Sequence, residues 1–330
     1  MRCQEGDSLL YLHIVKNLIC LVALFVILVA ACGAPGDRQA SSGGSSAEPV
    51  EAGSSEVLSV FVVNYPLQYL AERIGGEYVE VSFPAPATVD PAYWNPGPET
   101  IAAYQQADLI LLNGLGYAKW MQRASLPESK LIDTTAQLAD RRIELSEGAV
   151  HSHGPEGEHS HKGYAFTVWL SPELAIEQAR QITAAFSRSL PQGRSQFEAN
   201  LEALTADLQE LDRELRAVAE AIGDQPVLFS HPVYQYLEAR YGLSGRSLHW
   251  EPDQPPSEDQ WRELQEVLAD HPARWMIWEG QPPAEVVRRL EDLGVTSLVF
   301  DPCANRPASG DLLSVMAKNV ENLGAAGSRE

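Results

Sequence analysis

The sequence predicts an α/β protein: two doubly wound α/β lobes with mostly parallel sheets, joined by one long rigid helix. Apolar strand-like runs alternate with helical segments over residues 57–134, and the alternation resumes from residue 226 to the C-terminus. The strand runs are continuously apolar, as strands buried on both faces of a parallel sheet require. Between the two blocks Phe197, Leu201, Leu204, Leu208, Leu211, Leu215, Val218 and Ile222 step by four and three residues, one stripe along a single helix.

In chain order, VLSVFVV (57–63) is the first buried strand, rich in β-branched residues. A helix from Leu67 to Ile74 stops at Gly75-Gly76. VEVSF (79–83) is a strand, ETIAAYQQA (99–107) a short helix, DLILLNG (108–114) a buried strand and KLIDT (130–134) a fourth. Ser171-Pro172-Glu173 starts a helix, with a capping residue followed by proline at the first helical position. The long helix from Ser195 to Ile222 spans about 40 Å at 1.5 Å per residue. Beside two α/β blocks it reads as an intramolecular strut rather than as a coiled-coil dimer helix. PVLFS (226–230), WMIWEG (275–280) and SLVFDP (297–302) are strands. VYQYLEARYG, SEDQWRELQEVLADH, PAEVVRRLEDLG and DLLSVMAKNVENL are helices. Open α/β sheets bind ligands at the carboxyl ends of their strands, so two facing lobes place a site in the cleft between them.

The N-terminus adds a compartment. Residues 18–30 are thirteen consecutive apolar residues behind Lys16, too short for a comfortable membrane span and right for a signal-peptide core. They end in Val29-Ala30-Ala31-Cys32, which resembles the lipobox of bacterial lipoproteins, where the chain is cut before a cysteine that is then lipidated. Residues 33–55 are Gly/Ser/Ala/Pro-rich and form a flexible tether reaching roughly 25–30 Å. The expected organisation is a signal peptide (1–31), lipidated Cys32 and tether (32–55), an N-terminal lobe (56–190) carrying a histidine-rich loop (150–163), the linking helix (191–224) and a C-terminal lobe (225–330). The protein is then extracytoplasmic, membrane-anchored through lipid on Cys32, and a monomer.

A formal net charge of -21 over 330 residues argues against nucleic acid, which needs a basic footprint. Nor is there an HExxH helix, a GxSxG elbow or a phosphate loop, and NGLGY (113–117) does not match GxGxxG, so an enzyme is not expected.

Several stretches, each weak alone, together resemble the zinc/manganese solute-binding proteins of bacterial ABC uptake systems. They are Tyr65-Pro66-Leu67 with Ile74-Gly75-Gly76, ADLILLNGLGYAKW (107–120), VWLSPE (168–173), SHPVYQYLEARYGL (230–243) and VFDP (299–302), and they span nearly all of residues 56–326. The resemblance implies two lobes on one rigid helix, a divalent metal between them (zinc first, manganese next) and an ABC permease as partner. It also implies a site of three histidines and one carboxylate, or two of each. The third and fourth ligand positions fall on His231 and Asp301, expected roughly 3–5 Å apart around one ion. The first two fall on Ala92 and Thr167, neither a good zinc ligand, so those positions read as vacated.

Glu279 after a strand, Cys303 two residues past Asp301, and His249 are the candidates for additional metal ligands. Each has a bland alternative: a capping carboxylate, a buried filler thiol, a packed histidine. HSHGPEGEHSH (151–161) carries His151, His153, His159 and His161, four of the chain's eight histidines. Its glycines and proline predict an exposed, unstructured loop that gathers zinc weakly near Thr167, or completes the cleft site. The aromatics Tyr93, Trp94, Tyr164, Phe166 and Trp169 flank the vacated positions and leave a second function open: a cleft for a small organic ligand, with metal only at the loop. The Val-Ala-Ala-Cys junction has a direct check: Cys32→Ala should release or mislocalise the protein, and unchanged fractionation with membranes would refute lipidation.

Overall fold

The computed structural model describes residues 57–145, 150–152, 158–160 and 163–327. The signal segment, Cys32, the tether, His153 and His161 lie outside the described residues. The amino-terminal sheet contains β1 (Leu58–Val62), β2 (Val79–Ser82), β3 (Leu109–Leu112) and β4 (Leu131–Asp133), all parallel, in the order β2-β1-β3-β4. Helix α1 (Tyr65–Gly75) is capped by Asn64, whose Oδ1 accepts from the Leu67 N–H at 3.1 Å, and α2 (Pro98–Gln106) starts on its proline. Leu67, Leu70 and Ile74 of α1 are fully buried.

Within the histidine-rich stretch, β5 (Val150–Ser152) and β6 (Glu158–Ser160) pair antiparallel, with His151 opposite His159. This corrects the expectation of a wholly unstructured loop. The paired segments contain neither glycine nor proline, and Gly154, Pro155 and Gly157 lie outside the described residues.

Helix α3 (Pro172–Ser189) begins at Pro172. Ser171 holds the cap position in extended conformation, but its side chain makes no capping hydrogen bond. Helix α4 (Arg194–Ile222) has 29 residues, about 43 Å at 1.5 Å per residue. Its buried face is Phe197, Leu204, Leu208, Leu211, Leu215, Ala219 and Ile222, while Leu201 and Val218 are half-buried at the stripe's margin. This face packs on α1 and α3 of the first lobe and on helices of the second, so the stripe is satisfied within one chain.

The second sheet repeats the first. It holds β7 (Pro226–Phe229), β8 (Ser244–Ser247), β9 (Trp275–Trp278) and β10 (Thr296–Val299), again all parallel, in the order β8-β7-β9-β10. In each lobe the second strand lies outside the first and the third lies inside. Strand β8, SGRS, is unannounced in the sequence because it lacks apolar alternation. It is an edge strand, and Gly245 lies against the Phe229 ring, where a Cβ would come within 2.2 Å of Cε2. Helices α5 (Gln235–Tyr241), α6 (Glu258–Asp270), α7 (Ala284–Asp292) and α8 (Leu312–Gly327) complete the lobe. Ser257 and Gln260 form a reciprocal capping box on α6.

One apolar core runs from the first lobe through α4 into the second, and a smaller one, with Trp250, Trp261 and Trp278, fills the far face of the second sheet. Arg240 of α5 ties the junction: its guanidinium forks onto Asp212 of α4 at 2.9 and 2.8 Å and also pairs with Glu173 at the start of α3. No helix among the described residues is long and apolar enough to cross a membrane. Leu208, 2% exposed on the shared stripe, tests this spine. Leu208→Ala should lower unfolding free energy by about 2–5 kcal/mol in denaturant titration, and a loss below about 0.5 kcal/mol would show the stripe is not under load.

Candidate functional site

In a parallel sheet every strand ends at the same edge, and where the strand order reverses, the chains leaving two neighbours diverge and open a crevice. In the second lobe that point lies between β7 and β9. His231 follows β7, and Glu279 directly follows β9. The pairing of β7 with β8 continues past the strand ends, with Leu248 N–H on Phe229 O at 2.8 Å and Trp250 N–H on Ser230 O at 2.7 Å. This extension carries Glu251 to His231, whose Nδ1 lies 3.5 Å from Glu251 Oε1. One ligand-type atom from each of His231, Glu251 and Glu279 lies within 4.8 Å of the others. Among the described residues this is the group of His, Cys, Asp and Glu side chains that converges closely enough to share an ion.

Glu251 was not among the sequence candidates. The only signal for it was position after a strand, and that strand was the one its composition concealed. Asp301 follows β10 and lines the same cleft, but falls outside the converging group. Its Oδ1 accepts the Cys303 N–H at 2.7 Å, and its backbone is held both ways by the buried Asn319 amide of α8.

The remaining candidates separate. Cys303 is buried beneath the cleft rather than lining it, and burial, then the Asp301 charge, push its thiol well above the ordinary range. It stands outside the converging group. His249 is exposed, its ring perpendicular to that of His231 with centroids 6.1 Å apart, and it too stands outside the group. Ala92 is buried, its N–H on Asp90 Oδ1 at 2.8 Å. Thr167 lines the cleft and donates its hydroxyl to Val233 O of the second lobe. Tyr93, Tyr164, Phe166 and Trp169 also line it, whereas Trp94 packs edge-on against Trp120.

The cleft has a volume of about 660 Å³ and also takes in Asp90, Lys119, Gln122 and Asp253. Its acids act on one another. Glu279 is pushed up to about 8, first by burial and then by the charges of Glu251, Asp90 and Asp301. Asp301 is raised by burial, opposed by the Cys303 N–H. Tyr93 is pushed up to about 12 by burial and by Asp90, Glu251 and Glu279.

The two walls are joined by hydrogen bonds as well as by α4. Trp169 Nε1 donates to Pro302 O at 2.7 Å, and Tyr65 N–H to Ala304 O at 3.0 Å. Asn305 Nδ2 reaches Pro86 O at 2.7 Å and Val89 O at 2.8 Å, and Arg306 binds Ala85 O and Phe83 O while lying over the Phe83 ring.

Two parallel-sheet lobes on one long helix, with an acidic cleft between strand ends, define a two-lobed solute-binding protein. The family profile described as "ZnuA: Zinc-uptake complex component A periplasmic" matches residues 60–326, and the chain belongs to this family. It is thus a metal solute-binding protein of an ABC uptake transporter, in a family of binding proteins rather than enzymes. The high-affinity zinc uptake system protein ZnuA of Bacillus subtilis (strain 168) is 30% identical over 291 residues, covering 85% of this chain and 86% of its own length. The iron ABC transporter substrate-binding lipoprotein MtsA of Streptococcus pyogenes serotype M1 is 24% identical over 324 residues, 93% of this chain and 96% of its own. A ZnuA crystal structure matches with a TM-score of 0.67 at 26% identity, over 82% of this chain and 100% of that one.

Glu279 sets a pH dependence whose sign follows from its shift. The folded protein keeps this proton up to about pH 8, while the unfolded chain releases it near 4.5, so the stabilising contribution is full below 4.5 and is lost as pH rises through 8. In metal-free protein the thermal midpoint should fall as pH rises across that window, and Glu279→Gln should flatten the fall. An equal fall in the variant would place the dependence elsewhere.

Proposed function

We propose that the cleft captures a divalent metal ion, zinc first and manganese second, on His231, Glu251 and Glu279, with Asp301 at the margin, and that the protein passes it to the permease of its uptake system. The observation that carries this reading is the convergence of one imidazole and two carboxylates at the edge of a single sheet. Zinc takes nitrogen and oxygen donors at about 2.0–2.2 Å, which sets donors around one ion roughly 3–4 Å apart. A small contraction of the group meets that spacing. Its oxygen-rich composition also suits manganese. Zinc is placed first because the family profile and the Bacillus subtilis relative are both described by zinc uptake.

Ala92 and Thr167 are read as the vacated ligand positions of the first lobe. The ion is therefore held from the second lobe, and the histidine-rich stretch gathers metal in addition. Lipid on Cys32 and the tether after it would hold this two-lobed body (56–190 and 225–330, linked through 191–224) at the membrane beside the permease.

Titration calorimetry with zinc separates these roles. His231→Ala and Glu279→Gln should each weaken the tightest site by at least about tenfold, some 1.4 kcal/mol. Changing His151, His153, His159 and His161 to alanine should lower stoichiometry and leave the tight site in place. Tight binding that disappears with the four histidines, and survives His231→Ala, would make the loop the site.

A further inference from the structure

We propose that the cleft holds a second subsite, for the carboxylate of a small chelator, and that the metal enters as a metal–polycarboxylate complex rather than as a bare ion. This rests on the metal reading above and adds what fills the amino-terminal half of the cleft.

The first observation is one-sidedness. The converging donors His231, Glu251 and Glu279 all stand on the second sheet. On the facing wall the Thr167 hydroxyl proton is committed to Val233 O, Ala92 has no side-chain donor atom to offer, and Asp90, whose Oδ1 accepts the Ala92 N–H, stands outside the converging group. An ion seated on three protein donors keeps at least one coordination position open toward that wall.

Size is the second. A cleft of about 660 Å³ is far larger than an ion and its waters need, since a water takes about 30 Å³ of the liquid. It falls within the roughly 300–1,000 Å³ of sites that take small organic molecules.

Charge is the third. Lys119, half-buried, lines the cleft from the first lobe, and no ion pair among the described residues includes it. Desolvation lowers its pKa, the response of a cation withdrawn from water without an anion beside it. Gln122 adds an amide nearby, and Tyr93 and Phe166 add flat apolar faces.

A single ligand satisfies both walls if it chelates the ion. Its donor atoms fill the open coordination positions, and a remaining carboxylate meets Lys119. The same cleft rejects the chelator without its metal, because Asp90, Glu251, Asp253, Glu279 and Asp301 repel a polyanion whose charge is not offset. The arrangement therefore distinguishes loaded from empty chelator.

Citrate is a suitable probe. Native mass spectrometry and calorimetry on the full chain would compare zinc alone, citrate alone and equimolar zinc citrate. The expected result is a protein–zinc–citrate ternary complex, bound at least about tenfold more tightly than zinc alone, with no binding of citrate alone. Lys119→Gln should bring that ratio back to about one, Lys119→Arg should restore part of it, and His231→Ala should weaken the tight zinc site at least about tenfold in either form. If citrate only strips zinc from the protein, or if the ternary complex survives Lys119→Gln undiminished, the subsite is refuted and the metal site stands. Failure of the parent protein to bind zinc in either form would refute the metal reading and the subsite together.

Discussion

Everything in the cleft depends on one constraint of parallel pairing: strands that run the same way must all end at the same edge. Four consecutive strands of the second lobe deliver His231, Glu251, Glu279 and Asp301 to that edge, though they are separated by up to 70 residues along the chain. The order with the first strand between the second and third places the divergence of connections beside His231 and Glu279. The first lobe has the same order, but there the edge is filled differently. Asn64 and Asn113 bond to each other at 3.1 Å, and Gln178 reaches Thr134 at 3.0 Å, all four fully buried. One topology thus yields a reactive edge in one lobe and a closed polar core in the other.

The acids at the reactive edge are held in tension. Burial and mutual repulsion disfavour the charged form of Glu279, so without a cation it keeps a proton at neutral pH. On the proposed reading, a metal arriving here would reverse the sign of the local field and displace that proton. The energy that makes the empty cleft uncomfortable is the same energy that makes a cation welcome there. The deep position of the Cys303 thiol follows the same logic: beside Asp301 and out of water it stays neutral, and the backbone at this residue turns left-handed, with φ at 56°.

Most of the fold was legible in the sequence because its strands are continuously apolar and its long helix carries an unbroken stripe. Leu58–Val62, Trp275–Trp278 and the Phe197–Ile222 stripe announce themselves by period and burial alone. What was not legible is the edge strand Ser244–Ser247, where SGRS has no apolar face to reveal it. That one omission hid Glu251, since a residue's place at a strand end cannot be read when the strand itself is unseen. Family resemblance marked His231 and Asp301, of which the structure brings His231 into the converging group and leaves Asp301 at the cleft lining. Whether a thiol such as Cys303 faces a cleft or the core depends on a backbone turn that residue spacing does not encode.

The hydrogen bonds that join the walls have a consequence for affinity. In a binding protein whose lobes meet only through the captured solute, part of the binding energy is spent on closing, and apparent affinity is reduced by the fraction of molecules already closed. Here Thr167, Trp169, Asn305 and Arg306 join the lobes through neutral main-chain acceptors that need no ion. The cleft is therefore pre-organised, and little of the ion's binding energy goes into drawing the lobes together. The corollary falls on unloading: none of these bonds depends on the ion, so its departure alone breaks none of them, and separating the lobes costs the same bonds whether or not cargo is present.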